Sequence, residues 1–543
     1  MEALTPENEA SSAGEESFLL VYLCFFGPLV YFLWLRRDRT NYHNISAVGF
    51  SGTTTSFISA LRWLHDPVGV VRKGYSKFSN GIFRYPTLTR WIVVVAKPKY
   101  IEELRKAPED AVSASDAMKE ILGIPTSINS ELLVDQELKV FLGAQLTRKL
   151  QDFLPEIYSV VSELTAKLII SSEEDDWKYI DEFDTMTQIC VQAVNHVLVG
   201  AHLSRNPEFI EQMAIISRNL NQYARTSKRF PDFLRPLYLF VFTPLPSIKC
   251  RLRTLLATAL EDRRAILDTD EDTLPDDMIT WLIGRDIGSK MSADDLVNEV
   301  LFANHLAIYP MVQVMTQALR NLATHPGSVK SLRREVEEAT RQGGWTKASV
   351  DKMRNLDAFL KETMRLDTSS LNPYIPNLTM PRKCRRPMTF SDGTTVPQGA
   401  LLFVGSRSLH TDAQYYRKPD IFEPMRFTSP QTDGDSPQIS PAASFDSQSS
   451  ASSWPSSSSS GILPVSLTLP ATSSTFLAWG HGKHACPGRF FAASVMKLML
   501  ARFVYEFDVR PPPVHEGNNE GSNSWTRQNS ETIPWIELKR CRH

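Results

Sequence analysis

The chain has 543 residues, 42% of them hydrophobic and 22% charged, with a formal net charge of −2. That is ordinary globular composition, long enough for one large domain or a few small ones, and its near-neutral charge gives no reason to expect nucleic acid as a partner. The six cysteines, Cys24, Cys190, Cys250, Cys384, Cys486 and Cys541, are scattered too widely for a disulfide framework and fit a reducing compartment.

At the N-terminus an uncharged, apolar run occupies residues 18–35, interrupted only by Gly27 and Pro28. Its length just reaches the roughly 20 residues of a bilayer span. Glu2, Glu7, Glu9, Glu15 and Glu16 precede it, and Arg36, Arg37 and Arg39 follow. The basic flank should stay in the cytoplasm, which makes 1–17 a short lumenal segment and 18–35 a single-pass anchor. A cleaved signal peptide would carry its basic residues before the apolar core. On this topology the sequon Asn44-Ile45-Ser46 faces the cytosol and stays unmodified.

Residues 36–60 read as a linker and 61–515 as one catalytic body. The β-rich runs 82–85 and 90–95 predict a small sheet. Helical periodicity then dominates to about residue 372, most clearly over 146–171, 185–199, 248–267, 293–325 and 329–341. Two β-rich runs within 388–404 flank Asp392-Gly393, a hairpin signal. Residues 428–474 are dense in Ser, Pro, Gln and Asp, which predicts a disordered surface insertion. A helix apolar almost all round, and therefore buried, should begin just after Cys486. Residues 516–543 read as a polar C-terminal tail.

The chemistry concentrates in Leu477-Ala-Trp-Gly-His-Gly-Lys-His-Ala-Cys-Pro-Gly-Arg-Phe-Phe491. Gly480 and Gly482 allow a tight curl, and Gly488 allows close approach just beyond the sulfur. The following helix N-terminus offers free N–H groups and positive dipole to Cys486, favouring a thiolate. A thiolate so held suits an axial haem ligand. Two other readings stand beside this one. Cys486 may be a buried structural cysteine, or His481, His484 and Cys486 may bind zinc with His410, although no Cys-x-x-Cys partner accompanies them.

Trp479-x-x-Gly482-x-His484-x-Cys486-Pro487-Gly488 resembles the cysteine loop of the cytochrome P450 family, the haem-thiolate monooxygenases, with Trp479 where the family usually has Phe. Glu362-Thr-Met-Arg365 and Phe422-Glu-Pro-Met-Arg-Phe427 stand in the family's order ahead of it. The resemblance covers roughly residues 60–510 without the insertion and implies a mainly α fold with small β-sheets, an α+β arrangement. It implies haem b with Cys486 on the iron, and a structural triad of Glu362, Arg365 and Arg426. It places His484, Arg382 and Arg148 toward the haem propionates. Gly143 stands where related fungal sequences often have arginine.

The same resemblance implies molecular oxygen as oxidant and NADPH as electron source, delivered through the FAD and FMN of a cytochrome P450 reductase. Cytochrome b5 is a second implied donor, and the endoplasmic reticulum membrane the implied site. The N-terminal half is most similar to fungal enzymes acting on terpenoid-like skeletons. His481, Lys483, Arg489 and Lys497 put positive charge where an acidic flavoprotein would dock. Phe230-Pro-Asp-Phe233 and residues 371–378 are candidate pocket walls.

One element departs from the family. Where its long helix carries an acid and a threonine, Leu306-Ala-Ile-Tyr-Pro-Met-Val312 places Tyr309 and Pro310. Proline brings no hydroxyl and no N–H. Asn304 and His305, about one turn earlier, are candidates to organise a water relay instead, although His305 also reads as a satisfied core histidine. Three functions follow: a reductase-driven monooxygenase, a haem-thiolate enzyme that does not activate oxygen reductively, and a non-catalytic haem protein.

Overall fold

The computed structural model describes residues 42, 44–52, 55–78, 81–87, 90–122, 136–169, 177–227, 234–267, 274–284, 291–367, 377–428, 467–512 and 535–541. The anchor at 18–35, the pocket-wall segment 230–233 and most of 371–378 lie outside them. Among the described residues no helix is long and apolar enough to cross a membrane. Two compact units emerge, Met1–Ala114 with Pro381–Ser408, and Ser115–Met380 with Leu409–His543.

The first unit is built on a five-stranded sheet in the order Ile82–Pro86, Trp91–Val95, Leu401–Val404, Thr379–Cys384, Val112–Ser113. The first two strands pair antiparallel, Ile82 opposite Val95. Leu401–Val404 joins Trp91–Val95 in parallel, and both strands are buried throughout, as strands covered on both faces must be. The expected hairpin forms between Met388–Thr389 and Thr395–Val396, with Gly393 at φ +85° in its turn. The body begins earlier than residue 61: Ser56–His65 is already helical, and Ile45, Val48 and Ala60 are buried. Apolar side chains within 44–60, too many for a solvated linker, account for the difference.

The second unit is mainly helical. We label five of its helices: α1 (Gln136–Arg148), α2 (Glu182–Leu198), α3 (Ala293–Thr324), α4 (Arg354–Leu366) and α5 (Arg489–Glu506). Helix α3 opens with a capping box in which Ser292 and Asp295 exchange side chain and backbone bonds. Helix α5 is buried nearly all round, as its composition predicts. A three-stranded antiparallel sheet, Lys178–Asp181, Trp535–Arg540, Phe507–Arg510, closes this unit. Its central strand comes from the stretch read as tail. Trp535-Ile-Glu-Leu alternates apolar and polar, and Ile536 and Leu538 are buried. The insertion is also shorter at its far end than composition implied: Leu469 is a buried part of the body.

Candidate functional site

The cysteine loop takes its shape from two glycines. Gly480 at φ +71° and Gly482 at φ +76° hold the left-handed backbone that side chains with a Cβ avoid. Gly480 N–H donates to the Leu477 carbonyl at 2.9 Å, and Ala485 N–H to that of Gly482 at 3.0 Å, closing a short 3-10 turn over Gly482–His484. Cys486 N–H then donates to the Trp479 carbonyl at 2.8 Å. The chain thus doubles back and delivers Cys486 ahead of α5.

Gly488 plays another part than expected. Its φ of −84° is open to any residue, and an added Cβ would meet only Leu146 Cδ1, at 4.0 Å. What it supplies is its N–H, which lowers the pKa of the Cys486 thiol. Burial raises the thiol's pKa, while this N–H and the Arg489 charge lower it. The net direction is upward, so this N–H and the Arg489 charge do not outweigh burial. Deprotonation would accompany metal binding, as it does when a thiol ligates.

The glycine that close packing demands is Gly143 on α1. A Cβ there would stand 2.7 Å from Pro487 Cβ and 2.8 Å from its carbonyl oxygen. Backbone of α1 therefore lies directly on the residue after Cys486, which explains why no arginine occupies 143. Arg148, the residue given to a haem propionate, stands on the same helix. It sits five positions on, about 140° around the helix, exposed, with its guanidinium on the Gln145 side chain.

Behind the loop, Glu362, Arg365 and Arg426 meet in a buried cluster. Arg365 Nε and Nη2 donate to Glu362 Oε2 and Oε1 at 2.7 and 2.8 Å, and Arg426 Nε donates to Oε1 at 2.9 Å. The excess positive charge is spread over carbonyls. Arg365 Nη1 reaches those of His410 at 2.5 Å and Pro419 at 2.7 Å, and Arg426 those of Arg417, Lys418 and Ile421. Lys418 takes a φ of +44°, strained for a lysine, in the turn that presents these carbonyls.

His410 transmits this cluster to the loop. Leu477 N–H donates to its Nε2 at 2.9 Å, so Nε2 carries no proton and Nδ1 donates to the Arg365 carbonyl at 3.1 Å. Both ring nitrogens are committed, which removes His410 from the zinc reading. Among the described residues no group of His, Cys, Asp or Glu is arranged to hold a metal ion.

The positive face around the loop is smaller than the sequence suggested. Lys483 is exposed, and Arg489 Nη1 holds the Cys486 carbonyl at 3.0 Å. His481 pairs through Nδ1 with Thr472 Oγ1 at 3.0 Å, and His484 is half-buried in the 3-10 turn. Lys497 does not belong to this face: it is buried on α5, 3.0 Å from Asp357 Oδ1. Arg382 belongs to the first unit. It is buried, donates to the Pro381 carbonyl at 2.8 Å, and is lowered to about 10 by burial, against the pull of Glu109.

Helix α3 runs unbroken through Pro310. Asn304 is spent on packing: its Nδ2 donates to Asn195 Oδ1 on α2 at 3.0 Å and to the Val300 carbonyl at 2.8 Å, and its Oδ1 accepts from Asn195 Nδ2 at 2.6 Å. With both amide hydrogens engaged, Asn304 is a structural clamp rather than a water relay. His305 is buried and stacks on Tyr309 with ring centroids 6.4 Å apart. Burial lowers its imidazole to about 4, so it is neutral at pH 7. The incompletely buried residues Ala303, Leu306, Ala307, Pro310 and Gln313 form one stripe at helical spacing. Gln313, one turn beyond Pro310, is one of its polar members, with half-buried Gln317 the next. Sequence reasoning passed over it because only the burial pattern sets this stripe apart from the rest of an apolar helix.

The donor set fits a haem-thiolate centre. A single sulfur stands on a glycine-shaped turn, and His410 and the loop carbonyls are already used internally. Comparisons with known proteins agree. A family model described as Cytochrome P450 matches residues 53–532. The chain is 32% identical over 500 residues to Cytochrome P450 monooxygenase 151 of Postia placenta, covering 90% of this chain and 92% of that one. It is 26% identical to an ent-kaurene oxidase of Gibberella intermedia, covering 91% and 87%. A retinoic acid bound cyanobacterial CYP120A1 superposes with a TM-score of 0.63 at 17% identity, over 89% of this chain and 96% of that one, a likeness of fold.

Proposed function

The chain belongs to the cytochrome P450 family, and on that premise we propose that it is a haem-thiolate monooxygenase whose iron is ligated by Cys486 and whose substrate is an apolar, terpenoid-like small molecule. The family implies haem iron and oxidoreductase chemistry with oxygen incorporation. Haem bound at Cys486 would supply oxygen activation driven by two electrons. The observation that carries the assignment is the loop itself, with Gly480 and Gly482 in left-handed backbone and Cys486 N–H on the Trp479 carbonyl.

The chain's own residues do the remaining work. Glu362, Arg365 and Arg426 brace the loop through His410. Trp479 and Gly482 shape it, and His484 and Arg382 are the basic side chains assigned to the propionates. On the oxygen side, Pro310 offers no hydroxyl, Asn304 is locked and His305 is neutral. Protons must therefore arrive through water, with Tyr309 and Gln313 as the polar side chains nearest Pro310 in the helix. The name of the ent-kaurene oxidases supports the terpenoid-like substrate. Electrons come from NADPH through a flavin-carrying P450 reductase, with cytochrome b5 as a second donor, docking where Lys483 and Arg489 lie. Residues 18–35 anchor the chain in the endoplasmic reticulum membrane.

The reduced protein exposed to carbon monoxide should show a red-shifted thiolate band, absent from Cys486→Ala. A wild-type spectrum without that band removes the assignment. Pro310 also favours a second reading, in which the enzyme rearranges or consumes peroxides without reductive oxygen activation. Product formation that needs reductase and NADPH supports the first reading. Turnover in their absence supports the second. In the first, Pro310→Thr should raise the ratio of product to leaked peroxide.

A further inference from the structure

Helix α4 carries a second set of buried groups that the triad does not use. Asp357 and Lys361 stand one turn apart on it. Lys361 Nζ donates to the Thr468 carbonyl at 2.8 Å and lies 5.0 and 4.7 Å from the ring centroids of Phe427 and Phe476. Asp357 Oδ2 accepts the Leu469 N–H at 3.1 Å, while Lys497 of α5 faces its Oδ1 at 3.0 Å. The Leu469 carbonyl in turn accepts the indole N–H of Trp479 at 2.8 Å. Trp479's own carbonyl receives Cys486 N–H. A continuous line thus runs from α4 through residues 468 and 469 to the thiol-bearing turn, without Glu362, Arg365, Arg426 or His410. A phenylalanine at 479 would keep the ring and lose the link.

We propose that Asp357, Lys361 and Trp479 are positioning residues for Cys486, forming a second clamp that fixes the cysteine loop by docking Thr468 and Leu469 against α4. This rests on the haem-thiolate reading of Cys486. The geometry is costly enough to need a purpose. Burial pulls the Lys361 ammonium down to about 7, with Asp357 opposing, and the two ring faces and the carbonyl stand against that cost. The clamp also holds residues on both sides of the serine-rich stretch, Phe427 before it and Thr468 and Phe476 after it. Whatever residues 429–466 do, the loop they lead into is fixed at the body.

The test uses the purified full-length chain and two readouts. Hydrogen exchange is followed by mass spectrometry in peptides spanning 467–488, and the rate at which the carbon monoxide complex loses its thiolate band is followed by absorbance. Trp479→Phe and Lys361→Met should each speed exchange in those peptides about tenfold, the size of one lost buried hydrogen bond. Each should also speed the loss of the thiolate band severalfold. The double variant should add little to the larger single effect, because both act on one line, and Lys361→Arg should recover part of the loss. A buried change elsewhere in the unit, Leu256→Ala on the helix Leu245–Leu267, should leave both readouts unchanged. Wild-type exchange and band lifetime in Trp479→Phe, a conservative change that keeps the ring, overturns the proposal, as do fully additive effects in the double variant. A wild type with no thiolate band would instead sink the haem-thiolate reading, while the exchange data still decide whether the clamp exists.

Discussion

Gly143→Ala sets two effects of known size against each other. In the middle of a helix, alanine is favoured over glycine by about 1 kcal/mol. Taken alone, that predicts stabilisation. The structure places the new Cβ 2.7 Å from Pro487 Cβ and 2.8 Å from the Pro487 carbonyl oxygen. Overpacking of this kind costs about 1–3 kcal/mol, toward the upper end when the opposing atom is backbone that cannot rotate away. Pro487 is confined on both sides, by the Cys486 N–H bond to Trp479 before it and by α5 after it. The clash should therefore win, for a net loss of roughly 1–2 kcal/mol. In a chain of this length that shifts the melting temperature by only a degree or two, so the sharper assay is spectroscopic. The strain falls on the residue next to Cys486, and a smaller fraction of purified protein should show the thiolate carbon monoxide band. An increase in melting temperature with a wild-type band would refute the reasoning, because it would mean that α1 does not rest on the loop.

Three further outcomes follow from the same geometry. Glu362→Gln leaves Arg365 and Arg426 buried without their shared carboxylate and should cost about 3–5 kcal/mol, read as a much lower denaturant midpoint and poor haem retention; a midpoint within error of wild type would contradict the triad. His305 has a folded-state pKa of about 4, below its usual 6.5, so its contribution is complete above pH 6.5 and is lost as pH falls toward 4, when the unfolded chain takes a proton the folded one refuses. That loss is roughly 3 kcal/mol, and His305→Asn should show a correspondingly shallower fall in denaturant stability between pH 7 and 4.5, so that parallel slopes would argue against a buried neutral ring. Replacing residues 429–466 with a short Gly-Ser link should leave the thiolate band and the melting temperature unchanged, since Lys361 already holds Phe427 and Thr468 close together and a shorter loop costs less to close; failure to fold would show that the segment packs on the body.

What was legible in the sequence was local. The hairpin at Gly393, the helical run of α3 and the buried character of α5 each depend on residues near in sequence. The triad was legible only through resemblance, because Glu362 and Arg365 share one helix while Arg426 arrives from another segment. What escaped depended on distant residues finding one another. Nothing near Asn304 announces Asn195, and nothing in Lys497 distinguishes a docking charge from a buried partner of Asp357. Gly143 fixes which face of α1 meets the loop, and nothing in the sequence around it shows that contact with Pro487. The boundaries failed for a simpler reason. Short apolar alternations at 535–538 and 467–476 are swamped by the polar stretches beside them, and only pairing with other segments gives them structure.

Pro310 is where stability and chemistry separate. A proline inside a helix costs about 3 kcal/mol, because it withholds an N–H from the carbonyl four residues back and crowds it. Yet α3 is continuous from Ala293 to Thr324. The compensation lies on both sides of the substitution. Before it, Asn304 and Asn195 exchange two hydrogen bonds and fix α3 to α2. After it, Met311, Val312, Val314 and Met315 are all buried against the unit's core. The helix is held on both sides of position 310 by contacts that do not involve it. Pro310 brings no hydroxyl to the half-buried stripe and leaves the Leu306 carbonyl without its helical donor. A carbonyl so released is an acceptor for water, and a water held there would lie on the same face as Gln313. On the proposed reading, the residue that brings no hydroxyl to this stripe thus also leaves the acceptor around which a water route would form.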